Sequence, residues 1–301
     1  MDNDLKLKKT CVSLYRKIRL KLDYCGMNLV NEKQGNAIIS RLLQSDSPFM
    51  VGRFGAVEMH CVYKWMNQKN YTDQERDQAL YAAGIFPNDK ATLDRFCEIY
   101  TNSMKQCDCL GIWEVAGEKK AVKKYIPDAR LVPARSIEPY YHKNPWSIYL
   151  KGKKVLIIHP FVETIKEQLK YRDKIWPKSE ILPEFKSVTF IKAVQSNAGA
   201  KPVQEDWVEA LEYMKQEILK QDFDVAIIGA GAYGFPLAAY VKELGKQAIQ
   251  MSGATQILFG IKGKRWDTHP IISKFYNQYW TRPSESETPP SIQKVEGGSY
   301  W

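Results

Sequence analysis

Asp224-Val-Ala-Ile-Ile-Gly229-Ala-Gly231-Ala-Tyr233-Gly234 is the stretch whose reading decides the fold. Asp224 to Ile228 has the short, continuous apolar character of a buried strand. Gly229, Gly231 and Gly234 follow in G-x-G-x-x-G spacing, and a helical pattern runs from Tyr233 to Leu244. Strand, glycine turn and helix in that order are the context in which such a spacing binds phosphate. Glycine permits a tight turn and close approach, and the helix N-terminus favours negative charge.

The same alternation extends outward in both directions. Downstream, Gln247 to Gln250 reads as a strand. Upstream, a helix over Gln204 to Lys220 is preceded by a strand over Val188 to Lys192, which runs into the polar loop 193–199. Before that, Lys154 to Ile158 is a strand ending at His159-Pro160, with a helix from about Val162. Cys109 to Trp113 reads as a further strand and Glu118 to Tyr125 as a short helix, while Glu138 to Leu150, with Pro139 and Pro145, reads as irregular helix. Apolar strands separated by helices require crossover connections. The expectation is therefore an α/β fold, a doubly wound, largely parallel Rossmann-like sheet over residues 106–280.

Residues 31–105 look more helical. Segments 32–43 and 56–66 are expected helices, Thr72 and Glu75 form a capping-box pattern, and Asn88 or Asp89 caps a further helix. Between them, Phe49 to Val51 is a short strand that breaks at Gly52 and Gly55, with Arg53 and Glu58 flanking the break. Pattern alone does not assign this strand to the same sheet. It also leaves two roles for Arg53 and Glu58, a structural ion pair or a ligand site. Residues 1–30 carry a basic amphipathic helix, with Leu7, Cys11, Leu14, Ile18 and Leu22 in one stripe. Such a helix suits either an anionic membrane or a core contact with a solvated basic face. Residues 281–301, rich in Ser, Pro and Gly, read as a tail whose final Tyr300-Trp301 is expected to dock.

The net charge of +10 suits phosphorylated small molecules, membranes or nucleic acid. The six cysteines lack zinc-site spacing and read as reduced thiols, and no apolar leader or span is visible, so the expectation is cytoplasmic. No nucleophile-elbow or P-loop pattern occurs.

Several residues are placed to carry chemistry. Tyr233 lies inside the glycine motif, and Thr255, Gln256, Lys262 and Arg265 follow the last strand, where they suit a diphosphate. His159 and Glu163, and Gln195 and Asn197, follow other strands and are candidates for positioning a substrate at the same sheet edge. A dinucleotide cofactor would need an acidic residue about twenty positions past the glycines, where the chain has Ala248-Ile-Gln250-Met251.

Taken together, these pieces resemble the GT-D fold glycosyltransferases, bacterial enzymes of glycan assembly. The family's early signature is Arg-aromatic-Gly-Asp-x-Glu, and Arg53-Phe54-Gly55-Ala56-Val57-Glu58 looks like it. Asp224 to Gly234, with Gln247 to Ile261, looks like the family's later glycine turn. The resemblance covers residues 35 to 270. It implies a glycosyltransferase that moves a sugar from a nucleotide-sugar donor to a glycan or lipid-linked acceptor in surface polysaccharide synthesis. Arg53 and Glu58 would be catalytic, and Gly55, Gly229, Gly231 and Gly234 would line the donor site. It implies no nucleic-acid partner, and a location in the cytoplasm or at the inner face of the membrane. The family's Asp-x-Glu holds Mn2+ or Mg2+. Ala56 replaces the Asp here, which leaves Glu58 alone as a metal ligand and arginine charge as the alternative. A dinucleotide-dependent Rossmann enzyme and a non-catalytic glycan-assembly module are the other readings.

Overall fold

The computed structural model describes residues 22–295 and 297–301. Residues 1–21, which hold most of the expected N-terminal helix, lie outside the described residues. Seven strands form one all-parallel sheet: β1 (Phe49–Gly52), β2 (Cys109–Ile112), β3 (Arg130–Pro133), β4 (Lys154–His159), β5 (Ser187–Lys192), β6 (Val225–Ile228) and β7 (Gln247–Gln250). Their order is β3-β2-β1-β7-β6-β4-β5. The chain moves outward from β1 to β3, restarts at β4, moves outward to β5, and fills the gap with β6 and β7. Rossmann-like α/β architecture is thus the observed fold.

The early strand joins the interior of this sheet, between β2 and β7. Val51 is in register with Cys109 on one side and Ile249 on the other. The sheet therefore begins at Phe49, well before residue 106, and the helices around β1 belong to its layers. The strand over 130–133 has no counterpart in the sequence reading; Arg130-Leu-Val-Pro133 is too short and too interrupted to show a period.

The helices are α1 (Glu32–Gln44), α2 (Ala56–Met66), α3 (Asp73–Gln78), α4 (Lys90–Met104), α5 (Glu118–Tyr125), α6 (Val162–Leu169), α7 (Arg172–Ile175), α8 (Trp207–Leu219), α9 (Gly234–Glu243) and α10 (Thr255–Leu258). Asn31, Thr72, Asp89 and Asp206 cap α1, α3, α4 and α8 with side-chain acceptors. α3 runs directly into a π turn over Ala79–Ala83.

Alternate strand residues feed two cores. Met50, Leu110, Leu156, Ile158, Ala226 and Ile228 face α2, α4, α5, α8 and α9. Phe49, Val51, Cys109, Val155, Ile157, Val225 and Ile227 face α1, α6, α10 and the aromatic turns after β3. Period-two side chains with both faces covered explain the near-continuous apolar strands. Cys107 and Cys109 fall in opposite cores, because the strand begins only at Cys109. Cys61, Cys97, Cys107 and Cys109 are free and buried, and burial raises all four thiols.

The stretch after Thr281 is packed, contrary to a free tail. Glu287 is buried and its carboxylate accepts from the backbone N–H of Glu163 (2.7 Å) and Thr164 (3.2 Å) at the start of α6. It also accepts from the hydroxyls of Thr164 and Ser284. A carboxylate is favoured at a helix N-terminus, where N–H groups lack intrahelical partners. Trp301 Nε1 donates to the carbonyl of Glu287, and Trp301 packs edge-on against Phe161. Composition hides this anchor, since Glu285 and Glu287 among serines and prolines carry no periodic signal.

Candidate functional site

All strands of a parallel sheet end on one side, and here those ends surround a cleft of about 360 Å3. Every strand contributes a following residue: Arg53, Gly55 and Glu58 after β1, Trp113 after β2, Arg135 and Glu138 after β3, His159 at the end of β4. Gln195 and Asn197 come after β5, Gly229 and Gly231 after β6, and Ser252 and Gln256 after β7. Arg265, Trp266, His269, Tyr300 and Trp301 close the rim.

Arg53 is the hinge of this arrangement. Its backbone N–H donates to Gln250 Oε1 (2.9 Å), which ties β1 to β7. Its Nη1 donates to Glu138 Oε1 (2.8 Å), and its guanidinium lies over the Trp113 ring at 5.5 Å. Trp113 is itself fixed by its indole N–H on the carbonyl of Phe54 (2.8 Å). Arg53 Nε is buried and makes no hydrogen bond. Glu138 also accepts from the Tyr140 hydroxyl (3.2 Å). Glu138 was not among the sequence candidates, because it lies in an irregular aromatic stretch whose place beside Arg53 depends on strand order.

The other two arginines repeat the pattern. Arg135 lies over Tyr141 at 5.0 Å, and Arg265 over Tyr300 at 5.0 Å and Trp266 at 5.4 Å. A guanidinium stacked on a ring keeps its N–H edge in the plane, oriented for a bidentate phosphate or carboxylate. Three arginines, each over an aromatic ring at 5.0–5.5 Å, thus line one cleft.

Gly55 explains the pose of Glu58. Gly55 caps α2 with ordinary backbone angles, so its lack of a side chain is not needed for its conformation. A Cβ there would overlap the Glu58 carboxylate, which folds back over Gly55 at the start of the helix. The motif glycine therefore makes room for the motif carboxylate.

His159 is buried at 2% exposure and its Nδ1 accepts from the backbone N–H of Phe161 (3.0 Å). Burial pushes its pKa down to about 3, so the ring is neutral and its proton sits on Nε2. Such a ring donates a hydrogen bond but is a poor base. His269 is also shifted down by burial and then by Arg135, and its Nδ1 accepts from Ile271 and Ile272.

Five sequence candidates lie away from the cleft wall. Lys262 directs its ammonium over the Tyr276 ring at 5.4 Å. Glu163 is exposed and pairs with Lys166 (2.9 Å) on the surface of α6. Thr255 donates its hydroxyl to the carbonyls of Ser252 and Ile228. Tyr233 is buried against Ser196, with 2.7 Å between their hydroxyls. Gly234 packs against Gln250 and Ile228 inside α9. Gln256 touches the cleft but spends its amide on the carbonyls of Ile261, Lys262 and Tyr300. Of the three glycines, Gly229 is required by packing: a Cβ would fall 2.6 Å from His159 and Thr255, and its N–H is taken by the carbonyl of Ile158. Gly231, at φ +51°, has open space beside it and faces the cleft.

Among the described residues, no group of three or more His, Cys, Asp or Glu side chains gathers as a metal site. Ala56 offers no ligand, and Glu138 is engaged by Arg53. No helix among the described residues is long and apolar enough to cross a membrane. No protein-family model, curated protein or solved structure matches this chain.

Proposed function

We propose that the chain is a glycosyltransferase that takes a sugar from a nucleotide-sugar donor. The observation that carries this reading is the ring of three arginines, each backed by an aromatic face, around a cleft at the sheet's C-terminal edge. Diphosphate and a planar base or sugar are the chemistry such walls recognise. In the reaction, an acceptor hydroxyl on a glycan or lipid-linked sugar attacks the anomeric carbon. The bond from that carbon to the diphosphate oxygen breaks, and the nucleoside diphosphate leaves. Glu58 takes the hydroxyl proton. Arg53 and Arg265 offset the charge that develops on the leaving diphosphate. His159 donates from Nε2 and positions the donor.

The dinucleotide reading lacks support at the place it needs it. The strand after the glycine turn ends in Gln250, whose side chain is already the acceptor for Arg53 N–H. Turnover of a nucleotide-sugar panel by the wild type and Glu58→Gln tests the transferase reading. Transfer by the wild type and its loss in the variant, at unchanged melting temperature, support it. Equal turnover removes Glu58 from the mechanism.

A further inference from the structure

A second depression, of about 730 Å3, lies on the other side of the Trp113–Gly117 turn. Its wall is α5 and the chain at Asp23-Tyr24. Lys119, Lys120, Lys123 and Lys124 line it, all four exposed, against the two acids Asp23 and Glu114. Their charges are weakly compensated. Lys119 reaches Asp23 only at 3.9 Å, Lys120 donates to the neutral amide of Asn67, and Lys124 lies over the Tyr125 ring. The opposite face of α5 is buried through Glu118, Ala121 and Val122, which fixes the lysines outward.

The chain that carries the basic N-terminal stretch enters at this place. Tyr24 is buried and its hydroxyl donates to Glu118 Oε2 on α5 (2.9 Å). Leu22, which ends the apolar stripe in the sequence, is 70% exposed. The sequence of residues 1–21 adds seven cations against Asp2 and Asp4. A row of lysines beside exposed apolar side chains complements a surface with negative headgroups over an apolar interior.

We propose that this lysine face of α5, with Leu22 at its edge, docks on an anionic lipid bilayer. The turn between depression and cleft belongs to both: Trp113 lines the cleft, and Glu114 and Val115 line the depression. Docking therefore brings the mouth of the cleft to the bilayer, with Trp113, 41% exposed, at the level where tryptophan is favoured. The inference does not rest on the transferase reading, because it concerns binding alone.

Co-sedimentation of the full chain with vesicles tests it. Vesicles containing phosphatidylglycerol should bind the protein, pure phosphatidylcholine should not, and added salt should weaken the binding. Each lysine near an anionic surface is worth about fivefold in partitioning, so K123Q/K124Q should lower it on the order of twentyfold. K123R/K124R should keep it, and both variants should melt with the wild type. Equal binding by K123Q/K124Q, loss in K123R/K124R, or binding to neutral vesicles as strong as to anionic ones would overturn the proposal. So would release by millimolar inorganic phosphate clearly beyond the release by sodium chloride of matched ionic strength.

Discussion

Arg53 and Glu138 meet at 2.8 Å, although 85 residues separate them in the chain. Arg53 leaves the end of the interior strand β1 and Glu138 follows the edge strand β3, with β2 between them. The pair holds a guanidinium at the cleft in the absence of ligand, with Trp113 beneath it. Both side chains are mostly buried, at 15% and 13% exposure, so removing either leaves the other without its counter-charge.

That dependence gives a test with two readouts. Glu138→Gln should lower stability by about 1–3 kcal/mol, because it leaves a partly buried arginine without its counter-charge. If Arg53 takes a diphosphate, the same substitution should tighten binding of a nucleoside diphosphate, since the competing carboxylate is gone. Denaturant melts and titration calorimetry measure the two effects. A purely structural pair would show the first without the second.

Gly55→Ala tests the link between the motif's glycine and its carboxylate. The added Cβ displaces Glu58 without straining the backbone, so transfer activity should fall by at least tenfold. The cost in stability should be small, within about 0.5 kcal/mol, because the atoms displaced are the far end of a flexible, partly exposed side chain. Full activity in this variant would mean that Glu58 acts in another pose.

His159 and Glu118 give opposite pH signatures. The folded pKa of His159 is about 3, below its unfolded value, so the unfolded state binds the proton more readily between about pH 3 and 6.5. Its contribution is fully present above pH 6.5 and is lost at about 1.4 kcal/mol per pH unit as pH falls through that window. Burial raises Glu118 to about 7, so its contribution is fully present below about pH 4.5 and is lost as pH rises through 7. Stability against pH for His159→Asn should lack the acid-side loss. Glu118→Gln should lack the loss between pH 4.5 and 7.

Glu287→Ala tests the anchor of the C-terminal stretch. It removes a buried acceptor from two backbone N–H groups and two hydroxyls, and should cost about 3–5 kcal/mol. Residues 284–301 should then exchange amide hydrogens faster than the sheet. Tyr300 and Trp301 line the cleft, so ligand affinity should fall with it. Unchanged exchange in that stretch would show that other contacts hold it.

Much of this was legible in the sequence, for identifiable reasons. The strands 154–159, 225–228 and 247–250 are short apolar runs bounded by polar residues, and α8, just before β6, is periodic and capped by Asp206. The capping pair Thr72 and Glu75 is local and appears as read. What escaped was non-local. Glu138 has no motif, because its role exists only once β3, β2 and β1 lie side by side. Lys262 follows the glycine turn closely in sequence, yet Gly260, at φ +69°, and the bridge from Ile261 to Thr281 carry the chain off toward Tyr276. The glycine motif was two things at once, packing at Gly229 and Gly234 and open space at Gly231.

The most direct test of the central claim is the melting temperature of the wild type and Arg53→Gln across nucleotide-sugars, nucleoside diphosphates and NAD(P)H, each with and without EDTA. A ligand that binds only the native state raises the melting temperature as its concentration passes the dissociation constant. The account predicts a saturable rise with at least one nucleotide-sugar and its nucleoside diphosphate, unaffected by EDTA and weakened at least tenfold in Arg53→Gln. A rise with NAD(P)H alone, or an equal rise in both proteins, would contradict it.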